Sequence, residues 1–420
     1  YPLIRQAFKD AGVIFVILPN LPGSGINGAT KKIGQNVMLM VNDRRFYSDT
    51  FWFTLFHEIG HIINGDYEYY GCLLEYNNIY NDSVPELTID NGKFISPINN
   101  GNDAIGTNNG TVTIHCEKLI CGDDVVDDNY GTVNILGGYY ESDDDIISSN
   151  EENAVLNISN ATIKSYYTLL YSNYGSATFD NVNYTSTDHY VIGSNYSTGE
   201  ILINSGEYVS ENGTCICGSS SNEGFITLKG GNFRGKDNGI SNGSGEFFFD
   251  GHVVFDVTED TDGVLYGSDL SAFSVSDTYV FYPSVRAKTH LETIFPPDVA
   301  RIGSVNYKSL ESAFAAANDN DTIVLLKDLY LTQTLQLDMA KNLVLDGDGH
   351  TLTADILSVT ETPEFSGYKM IEISDALQLT VKNLTTVAYD SSQYGVMFFL
   401  DNDAQAAVHF ENTTFHGYEI

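Results

Sequence analysis

Basic residues are scarce in this 420-residue chain, where 20 Lys and Arg stand against 56 Asp and Glu and leave a formal net charge of −36 at pH 7. A surface of that sign repels nucleic acid and anionic membranes, and it favours solubility with contacts to cations. The shortage is localised. Residues 1–70 hold six basic and six acidic residues, so the entire excess belongs to residues 71–420. Cysteine is equally sparse, with five residues at 72, 116, 121, 215 and 217 in no zinc-ribbon spacing. Cys215 and Cys217 fall on one face of a short strand and read as reduced core thiols. Long apolar runs are missing as well, since nothing reaches transmembrane length and no signal peptide is legible. The opening Tyr1 and a final run that stops inside a repeat give the expectation of a fragment, for which missing targeting signals exclude little.

What is present begins with residues 54–63, TLFHEIGHII. Four residues make just over one helical turn, so His57 and His61 project from one face and can share a metal. Glu58, beside them, stands where a base for a zinc-bound water belongs, the chemistry of an HExxH hydrolase. The frame is helical: Trp52, Leu55, Phe56, Ile59, Ile62 and Ile63 recur at three- and four-residue spacing, Ser48 or Asp49 can cap the start, and Asn64-Gly65 supplies a stop. A buried helix with two hydrogen-bonded histidines is the plain alternative. Upstream, the pattern predicts a helix over 4–11, a strand over 13–18, a Gly-rich loop over 23–28 and a strand over 36–41.

With these elements and the HEIGH motif, residues 1–66 resemble the ImmA/IrrE family of metallopeptidase-like domains, in particular those that follow a helix-turn-helix in HigA-type antitoxin regulators. The resemblance implies a small zincin of αββα order acting on a peptide, with zinc held by His57 and His61 and Glu58 as general base. That family takes its third ligand from an acidic residue on a further helix, and no such helix is legible. Asp66, Glu68, Glu75 and Glu86 follow the motif, and Glu75 in CLLEYNNIY has the most helix-like surroundings. Catalytic zinc usually takes three protein ligands and one open position, so two histidines alone predict weak or absent binding.

From about Pro85 a repeat takes over. Ile89, Ile114, Ile135, Ile158, Phe179, Ile203, Leu228 and Phe249 each end a short β-rich run, 21 to 25 residues apart. Two positions earlier stand Leu87, Val112, Val133, Leu156, Ala177, Ile201, Ile226 and Phe247, the period-two alternation of a strand with one buried face. Five positions later stand Phe94, Leu119, Tyr140, Ile163, Tyr184, Tyr208, Phe233 and Val254. Turn pairs such as Asn91-Gly92, Gly137-Gly138 and Gly230-Gly231 separate the two sets. A third apolar column, Ile147, Leu170, Ile192 and Cys217, follows along the same rungs. Three short strands per 21 to 25 residues is the repeat of a parallel β-helix, whereas a propeller needs a period near forty. Eight rungs are expected.

A second unit starts near Ala300. Leu310, Ala313, Phe314 and Ala317 share one helical face, Ser309 can cap it, and a strand follows over 322–326. A short helix of this kind covers an open solenoid end. Together with NLVLDGDGHTLTA, this stretch resembles the N-terminal cap and first rung of pectate-lyase-like, adhesin-type right-handed β-helices. Phe410 and Phe415 repeat the five-residue offset, and the linker before the unit carries three of the nine prolines.

Enzymes on that fold set Asp clusters and basic residues on one face. Here only Arg234, Arg286 and Arg301 occur beyond Arg45, and Gly349-His350 lacks the second glycine of a GHG motif. The run from Asp346 to His350 reads as a turn. Asp123, Asp124, Asp127, Asp128 and Asp143 to Asp145 could bind calcium but lack a glycine-rich calcium repeat, so solvated loops are expected. The 27 tyrosines suggest stacking on carbohydrate, although several fall in core columns.

The resulting division is a truncated zincin-like module at 1–70, a junction at 71–84, a parallel β-helix at 85–282, a linker at 283–299 and a second β-helix unit at 300–420. Two functions stay open. One is a zinc-dependent metallopeptidase module, or a regulatory remnant of it, joined to a binding solenoid. The other is a non-enzymatic surface or adhesion solenoid with a glycan or surface partner, in which the HEIGH segment is inactive or an artefact of sequence assembly. An adhesin-type solenoid implies an extracellular or cell-surface location, and the N-terminal family a cytoplasmic one.

Overall fold

Runs that bury every second side chain and stop at turn residues fold here as short parallel strands stacked rung on rung. The computed structural model describes residues 2–18, 28–33, 36–42, 48–64, 74–77, 85–95, 101, 103–217, 222–259, 263–267, 269–356, 360–362, 365–388, 395–400 and 405–416. It is mainly β, with a β-solenoid of about 13 turns.

The N-terminal elements are α1 (Pro2–Asp10), β1 (Val13–Leu18), β2 (Gly28–Ile33), β3 (Asn36–Asn42) and α2 (Ser48–Asn64). β1 lies parallel to β3, and β2 runs antiparallel along the other side of β3. The expected αββα order is therefore αβββα. The added strand, GATKKI, escaped the pattern because an edge strand needs neither alternation nor apolar residues, and its Lys31-Lys32 suits an edge. Phe15, Leu39 and Val41 pack against Phe51 and Leu55 of α2, and Phe8 of α1 stacks on Phe15 at 4.8 Å. Most of the expected Gly-rich loop at 23–28 lies outside the described residues, as do Asp66, Glu68 and Cys72.

The solenoid begins earlier than its repeat. β4 (Leu74–Asn77) pairs in parallel with the strand Ile105–Asn108, so the helix-like context of Glu75 is in fact a strand of the first rung. The two leading columns hold in register through every rung, from Leu87 and Ile89 to Phe247 and Phe249. The column from Phe94 slips once. Phe255, not Val254, pairs with Phe233, because the strands shift register after Leu228 and one extra residue enters at the bend. Gly251 marks that bend, since a Cβ there would meet the Lys229 carbonyl oxygen at 1.6 Å. Tyr140, Tyr184 and Tyr208 are fully buried, and Tyr208, Phe233 and Phe255 stack at 4.9 and 4.7 Å.

The third column also needs one correction. Ile192 bridges to Ile216, which in turn bridges to Ile240, while Cys217 turns with φ +56°. Cys215 and Cys217 are nonetheless buried free thiols.

A few residues past this column, three in each rung up to Asn195, runs a ladder that the apolar pattern does not show. Asn108, Asn129, Asn150, Asn173, Asn195, Asn222 and Asn242 are buried, and each amide nitrogen but the last donates to the next side-chain oxygen at 2.8 to 2.9 Å. Asn242 donates instead to the Gly245 carbonyl at 2.8 Å, and its strand partner is Gly267, where the ladder ends. Inside a low-dielectric core such a chain satisfies every member, and that is the condition for burying amides at all.

Residues beyond Tyr282 close the first stretch. His290–Ile294 pairs antiparallel with the strands before it, so part of the expected linker is an ordered cap. The buried Asp355 of the second stretch accepts from Ser284 Oγ and pairs with Arg286 Nε at 2.9 Å. There α3 (Leu310–Ala316) forms as expected: Ser309 Oγ accepts from Ser312 N at 3.1 Å, while Leu310, Ala313 and Phe314 are buried. Strands stack behind it in the order 322–325, 342–346, 378–382 and 407–411. Asp348 and Gly349 take positive φ in the DGDGH turn. Among the described residues, no helix is long and apolar enough to cross a membrane.

Candidate functional site

The turn before the third strand of each rung carries the acidic runs, and stacking brings them together. Asp103, Asp124 and Asp145 each stand two residues before a core residue of that strand, namely Ile105, Val126 and Ile147. Asp103 Oδ1 accepts from Asp124 N at 3.2 Å, Asp124 Oδ1 from Asp145 N at 2.9 Å, and Asp145 Oδ1 from both N and Oγ1 of Thr168 at 2.6 Å. Each carboxyl thus caps the next rung. Asp124 and Asp145 are only 6% exposed, which overturns the expectation of solvated loops for these two.

Their neighbours Asp123 and Asp144 are half-buried beside them. Carboxyl oxygens of Asp103, Asp123 and Asp124 lie within 4.8 Å of one another, as do those of Asp124, Asp144 and Asp145. Burial pushes Asp124 up to about 9, helped by the charges of Asp145 and Asp103. Burial likewise raises Asp144 to about 7, with the Asp145 charge next in weight, and Asp103 to about 6. Asp145 is also raised by burial, to about 6, and the two Thr168 hydrogen bonds hold it lower than its neighbour. These groups keep their protons to higher pH than ordinary aspartates, Asp124 furthest of the four.

Beyond Asp145 the same corner turns aromatic. A cleft of about 590 Å³ is lined by Asp124, Asp144 and Asp145 on one side and by Tyr167, Tyr171, His189 and Tyr190 on the other. Tyr171 projects from the outer face of the third strand and is 54% exposed, with Gly193 in the next rung beside it. Tyr167 packs edge-on against His189 at 4.5 Å. Among the described residues, neither Lys nor Arg lines the cleft. None of these aromatic residues was singled out in the sequence, although the constant offset of Asp103, Asp124 and Asp145 from the third column was a usable signal.

The HEIGH residues are distributed differently. Glu58 is buried at the edge of the sheet, where its Oε2 accepts from Thr30 Oγ1 of β2 at 2.7 Å. A Cβ at Gly28 would come within 2.8 Å of Glu58 Oε1, so a glycine lets the edge strand close on it. His57 is exposed on the adjacent position of the helix. The side chains of His61 and Glu75 lie outside the described residues. Among the described residues, the groups of three or more His, Cys, Asp or Glu close enough to share a metal are two aspartate sets in the solenoid, and His57 belongs to neither.

Comparison with protein-family models, curated proteins and solved structures returns no match.

Proposed function

We propose that the chain is a non-enzymatic binding solenoid of the surface or adhesion type, and that its cleft takes a carbohydrate. The observation that carries this reading is the cleft itself, which three tyrosines and hydrogen-bonding carboxyls line together. Pyranose rings present flat C–H faces to aromatic rings and hydroxyls to polar groups, and that lining offers both. A long, acidic, rung-built scaffold suits display at a cell surface or outside the cell. Titration calorimetry of the full chain with hexamers of glucose, N-acetylglucosamine and glucosamine tests it. Binding of at least one hexamer, weakened about tenfold by Tyr171→Ala, is expected. Absence of binding to all three overturns the reading.

A second reading attaches to α2, favoured by its helical HExxH and by the inward docking of Glu58 on the edge strand. There the N-terminal module is a zinc metallopeptidase, or a regulatory remnant, with His57 and His61 on the metal. About one zinc per chain, lost in His61→Ala and kept in Glu58→Gln, is expected if the module is functional. Zinc content unchanged by His61→Ala would place any metal elsewhere.

A further inference from the structure

Two carboxyls in the cleft are built into the fold yet incompletely used. Asp124 and Asp145 are both nine-tenths buried, and each commits one oxygen, Oδ1, to the rung above. Among the described residues their second oxygens accept no hydrogen bond, and both side chains line the cleft. Asp144 joins them, with oxygens of all three within 4.8 Å of one another. Oxygens held in place by a buried side chain and left open to a cleft are acceptors ready for a donor that arrives with the ligand.

The charge of that donor follows from what surrounds it. Among the described residues lining the cleft, His189 is the only basic one, and the chain as a whole carries −36. Uronates and other anionic glycans are therefore repelled. An ammonium offers three donors to three acceptors and gains further from the faces of tyrosine rings. A hydrated metal ion would use the carboxylates but not the rings.

Resting on the reading of the cleft as a carbohydrate site, we propose that its ligand carries a free amine. It is a cationic amino sugar whose ammonium seats among Asp124, Asp144 and Asp145 while a ring lies against Tyr171. Burial and the neighbouring carboxylates raise Asp124 and Asp144 together, and an ammonium among them would relieve that mutual repulsion.

Calorimetric titration of the full chain with the glucosamine hexamer, the N-acetylglucosamine hexamer and the glucose hexamer tests the charge directly. The glucosamine hexamer should bind at least tenfold more tightly than the other two, and 0.5 M NaCl should erode the advantage. Asp144→Asn should abolish that preference; Asp144 is half-buried and its carboxyl caps no rung, so the fold should survive. Equal affinity for all three hexamers, still weakened by Tyr171→Ala, would leave the carbohydrate reading standing and overturn the amine. Failure of all three to bind overturns both. Tight binding of calcium chloride alone, with the hexamer excluded, would overturn the amine by making the carboxyls a metal site.

Discussion

The two solenoid stretches stack the same kind of strand but satisfy their interiors by different means. From Asn108 to Asn242 the first carries seven buried asparagines linked side chain to side chain. Among the described residues of the second there is no buried asparagine. Its corresponding interior is Leu335, Leu337, Ile371 and Ile373, closed at one end by α3. Both stretches turn one corner with left-handed asparagines two residues past a stacked apolar column, at Asn160 and Asn181 in the first and Asn383 and Asn412 in the second. Apolar burial and the backbone ladder are thus enough to hold rungs together against the entropy lost on ordering them. The ladder adds a penalty for slipping, because a shift of one residue would orphan a buried amide at every step.

The largest effect should come from the apolar columns, which the comparison treats as common to both stretches. Ile158→Asp buries an unpaired carboxylate between Ile135 and Phe179 and should cost on the order of 5 kcal/mol. Asn157→Asp, one residue away, faces outward and loses one bond to Asn134, for about half a kcal/mol. Denaturation midpoints of the two variants against the parent measure the difference. Equal, small effects would mean that the strand faces are misassigned by one residue.

Next in size is the tie between the stretches. Arg286→Met leaves Asp355, which is fully buried, with only Ser284 as a partner, at a cost of about 3–5 kcal/mol. Calorimetry of the parent should show the two stretches melting together, and the variant should separate the second as an earlier transition. An unchanged melting profile would show that their coupling rests on something other than this pair.

The ladder itself is the third test. Asn173→Leu removes the acceptor of Asn150 and the donor to Asn195, and two weakened buried amides predict a loss of about 2–4 kcal/mol. In the second stretch, Asn383→Gly keeps the left-handed backbone and removes only bonds to Asp346 and Asn412, costing about 1 kcal/mol or less. Urea midpoints decide it. If both variants lose equally little, the ladder is ornament on an apolar core and the contrast between the stretches collapses.

These differences also explain which parts were legible beforehand. Columns ending in Ile135, Ile158 and Ile203 were readable because alternation and a steady period are both properties of the chain itself. Val254 and Cys217 were misplaced where a bulge and a left-handed turn broke that period, an event set by packing in the neighbouring rung. The asparagine ladder went unseen although it recurs once per rung, because polar residues were assigned to the surface by default. Asp124 and Asp145 failed for the same reason. In the N-terminal module, HEIGH was visible as a spacing on one helix, but the Thr30 contact to Glu58 joins separate segments and has no local signature.

The smallest expected effect is read as a pH slope, and it separates the two stretches by sign. Asp124 in the first is held by burial at about 9, well above the ordinary aspartate range near 4. The native state therefore binds a proton that the unfolded chain releases. Its contribution is complete below about pH 4 and is lost as pH rises through 9, so this stretch should weaken on alkalinisation. Asp346 in the second is the opposite case. Burial alone would raise it, yet hydrogen bonds from Asn383 and the Asp348 amide, with Lys382 at 3.2 Å, hold it below the usual value. Its contribution is present at neutral pH and is lost as pH falls through that lowered value. Asp124→Asn can still accept from Asp145 N but no longer titrates. Melting temperatures at pH 5 and pH 8.5 should differ by a few degrees in the parent, with pH 5 higher, and by less in the variant. The same change at Asp346 should leave that interval untouched and act only toward acid, because the group is ionised across it. A parent and an Asp124→Asn variant with the same slope would mean that the buried corner of the first stretch is no more proton-loaded than the exposed turn of the second.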